Sequence, residues 1–154
     1  MAFTSRIPIR FGDEDHARIV YYPRFFHFFH TVFEDFFNEQ GFPYRRCLDV
    51  DEVGWPAVHV TSDFESPLRF GDVLELEMWA SRVGDKSVTC EYIGRRAGDE
   101  EVAVRARVIV ACIDLRTYAA RPIPPKYREL FEHHLVLTDG AATEGPSAEG
   151  TAAG

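Results

Sequence analysis

Long apolar runs are missing from this chain. Nowhere does it hold the roughly 18 to 20 uninterrupted apolar residues that a helix needs to cross a bilayer. The opening MAFTSRIPIR has neither a long apolar stretch nor a small-residue cleavage site, so no secretory leader is expected and a cytoplasmic location follows. Cysteine is scarce. Cys47, Cys90 and Cys112 are widely spaced, with no C-x-x-C pair, which argues against a disulfide framework or a cysteine zinc site and for reduced thiols. Lysine is scarcer still, Lys86 and Lys126 being the only two among 17 basic residues. Basic runs are absent and the formal net charge is −8, so nucleic acid is not an expected partner. An anionic ligand must instead find a local patch of positive charge, and arginine's planar fork of donors suits phosphate.

What the chain does have is core material. Its 154 residues suit one domain, and 45% of them are hydrophobic and 14% aromatic. The apolar content stops near Leu137. Residues 138–154, TDGAATEGPSAEGTAAG, hold no large apolar side chain and are expected to stay disordered, leaving 1–137 as the domain.

Within 1–137 the pattern reads strand, helix, then strand after strand. Phe3, Ile7, Ile9 and Phe11 suit a strand over 3–11, broken by Gly12 and a polar GDEDHAR loop. Pro23 suits the first helical position, where a missing N–H removes no hydrogen bond, and Gly41 suits the stop. Between them RFFHFFHTVFEDFFNEQ is apolar over far more than one face, which predicts a helix buried nearly all round. Strands are expected over 55–64, 73–83, 86–94 and 102–115, with Leu74, Leu76, Met78 and Ala80 on one face and Glu75, Glu77 and Trp79 on the other. The Gly-Asp connections at 84–85 and 98–99 suit tight hairpins, and KYRELFEHHL suggests a short final helix. A meander with one apolar helix packs most simply as an α+β domain whose antiparallel sheet curls around that helix. An exposed sheet edge then favours a dimer with a continuous sheet.

The segment FGDEDHARIVYYPRFFHFF, residues 11–29, together with GFPY at 41–44, WPAV at 55–58, FGDVLELEM and the DKS turn at 85–87, resembles the 4-hydroxybenzoyl-CoA thioesterase-like family of hotdog proteins. Asp13 and Asp15 fill that family's two acidic positions, and Val20, Tyr22 and Phe25 its apolar and aromatic ones. The resemblance implies the hotdog fold, hydrolysis of an aromatic or short-to-medium-chain acyl-CoA to free acid and CoA with no cofactor, and a homodimer assembling into a homotetramer. It also implies Asp15 as the catalytic carboxylate and the backbone N–H of Tyr22 as the main oxyanion donor. Those roles are chemically sound, because a carboxylate can attack a thioester carbonyl or activate water, and unpaired amides at a helix start hold the developing oxyanion. Asp13 reads instead as structural, binding loop amides.

By the same resemblance His30 faces the distal end of an acyl ring from the neighbouring subunit. It stands where 4-hydroxybenzoyl specificity expects a carboxylate, so the likeness does not extend to that substrate. Lys86 leads the basic residues expected at CoA, with Arg95, Arg96 and Arg121 behind it. Arg18 departs from the family's glycine and His16 from its small residue or proline. His27, His30 and Glu34 share one helical stripe, a spacing that serves a metal or merely a polar face; no metal is assigned. Two alternatives stay open: a thioesterase on acyl carrier protein, and a hotdog module that binds acyl-CoA or a protein without turnover.

Overall fold

Residues 2–137 are described in the computed structural model of the protein; the expected disordered tail, 138–154, lies outside them. Alternation builds the sheet. In β4 (Val73–Val83) Leu74, Leu76, Met78 and Ala80 are buried while Glu75, Glu77 and Trp79 take the other face, as their period-two spacing requires. Around it run β1 (Phe3–Pro8), β5 (Ser87–Arg96), β6 (Val102–Ala111) and β3 (Ala57–Phe64), in the order β1-β4-β5-β6-β3 and antiparallel throughout. A small second pair joins β2 (Val53–Gly54) to β7 (Ile113–Asp114).

Helix α1 (Arg24–Glu39) packs on the concave face. It buries Phe25, Phe28, Phe29, Val32, Phe33, Phe36 and Phe37 against Phe3, Tyr92 and the rest of the core. Its end is marked by Gly41 at φ +84°, a conformation that costs glycine little. The C-terminal half is covered further by α2 (Tyr44–Asp49) and α3 (Pro125–His133), through ring contacts of Phe33, Phe36 and Phe37 with Tyr44 and Phe131. The whole is the α+β hotdog layout.

Three expectations need correction. The helix is not buried all round: Phe26 is 43% exposed, and His27 and His30 beside it are exposed, because one sheet covers only one side of a cylinder. The first strand ends at Pro8, since a one-turn 3₁₀ segment over Phe11–Asp13 turns the chain and leaves the Phe11 ring 81% exposed. The long strand expected over 102–115 breaks at Cys112, whose N–H donates to the Lys86 carbonyl as the chain leaves the main sheet for β7. Helix α2, by contrast, had no sequence prediction.

The edge strand β3 differs from all the others. Its residues are exposed on both faces apart from half-buried Ser62, and Val58, Val60 and Phe64 are among its open side chains. An apolar edge of eight residues with free backbone groups is a template for pairing.

Candidate active site

The loop between β1 and α1 is built around Asp13. Its side chain is almost wholly buried; Oδ2 accepts the Arg10 N–H at 2.8 Å, and Oδ1 accepts Arg24 Nε at 3.1 Å and Nη2 at 2.8 Å. Its carbonyl accepts the Tyr21 N–H at 2.9 Å. One residue therefore ties the end of β1 to the first residue of α1. Binding a backbone amide was expected of Asp13. The guanidinium partner was not, because Arg24 lies eleven residues further along the chain.

Beyond Asp13 the chain makes a narrow excursion. Glu14 bridges Val20, the Asp15 N–H donates to Ile19 O at 3.1 Å, and the Arg18 N–H donates to Asp15 O at 3.0 Å. Arg18 sits at φ +63°, the left-handed conformation that a glycine there would adopt, so the loop keeps its turn at a strain of about 1–2 kcal/mol. Asp15 lies at the tip and is exposed. Its Oδ1 accepts the Ala17 N–H at 2.7 Å, while Oδ2 has no hydrogen-bond partner among the described residues. Phe11, Glu14, His16 and Arg18 join it around an open depression of about 350 Å³.

The chain then turns into the helix. Val20 N–H donates to Leu68 O, Arg24 N–H to Tyr21 O and Phe25 N–H to Tyr22 O. Tyr22 N–H has no hydrogen-bond acceptor among the described residues, and Pro23 beside it has no N–H. An unpaired amide thus opens a helix whose dipole is positive at that end. It borders an apolar groove of about 620 Å³, where Ile19, Val20, Tyr22, Phe25, Phe64 and Leu68 supply most of the wall. Asp15 and Tyr22 line separate depressions of the single protomer, which share no wall residue.

A second apolar cavity, of about 170 Å³, lies further along α1 between its Phe26, Phe29, His30 and Phe33 and the sheet residues Tyr92 and Val108, with Trp55 and Val60 at its rim. His30 stacks near Phe33 and meets Tyr44 edge-on at 5.8 Å, and its Nε2 lies 3.6 Å from Glu34 Oε1. Burial, with Cys47 and Glu34 adding to it, pushes the Tyr44 hydroxyl up to about 12, so it stays a neutral donor. His27 lies against Phe28, and among the described residues no three His, Cys, Asp or Glu side chains are grouped as a metal would need.

The basic residues divide into two sets. Lys86 and Arg121 sit together: Cys112 takes the Lys86 carbonyl with its N–H and offers its own carbonyl to the Arg121 N–H. Arg95 and Arg96 lie at the other end of β5, some nine residues and roughly 30 Å away along a strand. They are also engaged, Arg95 with Glu77 at 2.9 Å and Arg96 with Asp99 and Glu101 at 2.6 Å each. The four do not form one patch in a protomer. Tyr92 and Phe64 were not singled out from the sequence; the clue available was a tyrosine on the apolar face of a strand, in phase with Cys90 and Gly94.

The family model described as the thioesterase-like superfamily matches residues 9–131. A 1,4-dihydroxy-2-naphthoyl-CoA hydrolase of Synechococcus elongatus is 29% identical over 125 residues, covering 80% of this chain and 90% of its own. A gentisyl-coenzyme A thioesterase superposes with a TM-score of 0.75 at 27% identity, over 82% of this chain and 99% of its own. A 1,4-dihydroxy-2-naphthoyl-CoA thioesterase from Synechocystis superposes with a TM-score of 0.79 at 23% identity, over 85% and 96%, and supports the fold.

Proposed function

Because this chain belongs to the thioesterase-like superfamily, whose members among its relatives hydrolyse CoA thioesters, we propose that it cleaves an aromatic acyl-CoA to the free acid and CoA, with Asp15 driving the attack and the Tyr22 N–H holding the oxyanion. The observation that carries this reading is the unpaired amide at the head of α1, flanked by a proline and an apolar groove. A thioester carbonyl seated there receives a hydrogen bond that strengthens as charge builds on its oxygen. The free Oδ2 of Asp15 either adds to the carbonyl carbon, giving an anhydride that water then opens, or takes a proton from the water that adds. In both routes the C–S bond breaks, CoA leaves as its thiolate, and the acid is released.

The two depressions need a second protomer to become one site. Antiparallel pairing of β3 with its two-fold mate sets the Ala57 end of one strand beside the Phe64 end of the other, about 4.8 Å away. The groove at Tyr22 and Phe64 then runs on into the cavity of the second protomer, with His30 of the partner subunit beyond it. The same rotation brings Lys86 and Arg121 of the partner subunit toward the Asp15 end, a weak and exposed pairing for CoA phosphates. The Synechococcus elongatus hydrolase and the gentisyl-coenzyme A thioesterase are both named for hydroxylated aromatic acyl groups, and the aromatic walls suit such a ring. Thiol release from benzoyl-, hydroxybenzoyl-, dihydroxynaphthoyl- and hexanoyl-CoA tests the reading. Asp15→Asn should lower kcat by about 10²- to 10⁴-fold with the fold intact; undiminished turnover rejects Asp15.

A further inference from the structure

One polar group in the cavity has no work inside the protein. Tyr92 is 4% exposed, lies on the concave face of β5 between Met78 and Ala106 of the neighbouring strands, and packs its ring on Phe29 at 5.0 Å. Its hydroxyl has no hydrogen-bond partner among the described residues. Of the other polar groups nearby, Trp55 Nε1 donates to Cys47 Sγ at 3.2 Å, while His30 is half exposed, with Nε2 3.6 Å from Glu34 Oε1. Most of the remaining wall is hydrocarbon, from Phe26, Phe33, Val60, Val108 and Val110. The hydroxyl is not among the fully enclosed unpaired side-chain atoms of the described residues, so it opens on the cavity, where a ligand entering the apolar slot supplies its partner.

Resting on the thioesterase reading, we propose that Tyr92 is a specificity residue, its hydroxyl hydrogen-bonding a neutral oxygen substituent on the far side of the acyl ring. The chemistry favours a phenolic hydroxyl over a carboxylate. Desolvation, with Cys90 adding to it, pushes the tyrosine proton well above its usual range, so the group is a neutral donor and acceptor. An aromatic slot with no lysine or arginine at its wall penalises an ionised ring substituent. Position fits as well. β5 lies two strands in from the open edge at β3, about 10 Å, so its side chain meets the distal end of a ring entering from that edge, while the thioester stays at the helix start.

A site built to hydrogen-bond a substrate hydroxyl rejects the analogue lacking it, since a buried group is then left unpaired. Wild-type protein should therefore favour a hydroxybenzoyl-CoA isomer over benzoyl-CoA by at least about tenfold in kcat/KM. Tyr92→Phe should shrink that ratio to within about twofold, acting mainly through KM on the hydroxylated ester. Its Tm should stay level or rise, because the deleted hydroxyl bonds nothing in the free protein. A preserved ratio in Tyr92→Phe, an equal loss of kcat on both esters, or a clear drop in Tm each overturns the assignment while leaving the thioesterase reading standing. Wild-type protein without turnover on any ester overturns both.

Discussion

Asp13 touches no substrate in the proposed mechanism, yet the geometry gives it a large effect. Asp13→Asn keeps shape and volume but removes the charge. An amide has one acceptor oxygen, and the two carboxylate oxygens now face donors on both sides: the Arg10 N–H and the Arg24 guanidinium. Whichever way the amide turns, its NH₂ meets a donor. Breaking a fully buried ion pair costs about 3–5 kcal/mol, and one hydrogen bond to a charged group about 1.5–3. The Arg24 side chain is 42% exposed and can rehydrate, so the lower range applies, about 2 kcal/mol. For a domain of this size that is a fall in Tm of roughly 4–8 °C. Because the Asp13 carboxylate also holds the side chain of Arg24, the first residue of α1, kcat should fall further than the residual folded fraction explains, with KM little changed. Scanning calorimetry and thiol-release kinetics read the two effects. A double-mutant cycle with Arg24→Met should give a coupling of at least about 1 kcal/mol. Tm within about 1 °C of wild type and unaltered kcat would refute the reasoning.

Two further outcomes follow from the core. A Cβ added at Gly94 would stand 2.7 Å from Leu74 Cδ1 and 2.8 Å from Val104 Cγ1, both fully buried, so Gly94→Ala should cost about 1–3 kcal/mol in urea unfolding, and a neutral result would show that the β4–β6 core can give way. Burial pushes the Cys90 thiol up to about 12 and Cys112 up to about 11 from an ordinary 9.0, and Tyr44 up to about 12 from 10.0. Their folded values lie above their unfolded ones, so this stability is fully present below pH 9 and is lost as pH rises toward 11–12. The loss should approach on the order of 1.4 kcal/mol per pH unit for each group titrating. Urea midpoints between pH 8 and 11.5 should fall accordingly, and a flat curve over that range would contradict it.

Local pattern carried much of this protein. Period-two alternation placed β4 and its two faces, Pro23 and Gly41 bracketed α1 to within two residues, and the D-x-D block located the loop that presents Asp15. It failed where a neighbour distant in sequence decides the outcome. Phe11 has the phase of a strand residue, but Asp13 closes a turn on Arg10 and swings the ring out. Phe26 looks as buried as Phe25 in a list of residues, yet only one side of α1 meets a sheet. Lys86 and Arg95 are nine positions apart, and an extended strand puts them at opposite ends of the domain.

Residue order alone was enough for the fold class and for the loop that precedes the helix, because both depend on side-chain period and on groups a few positions apart. Pairing needed the folded chain. Which arginine neutralises Asp13, which amide is left without an acceptor, which sheet edge is open and which tyrosine hydroxyl is stranded in an apolar slot are all set by contacts between distant segments. The physical reason is that a hydrogen bond or an ion pair acts over about 3 Å of space, and only packing decides which parts of the chain come that close.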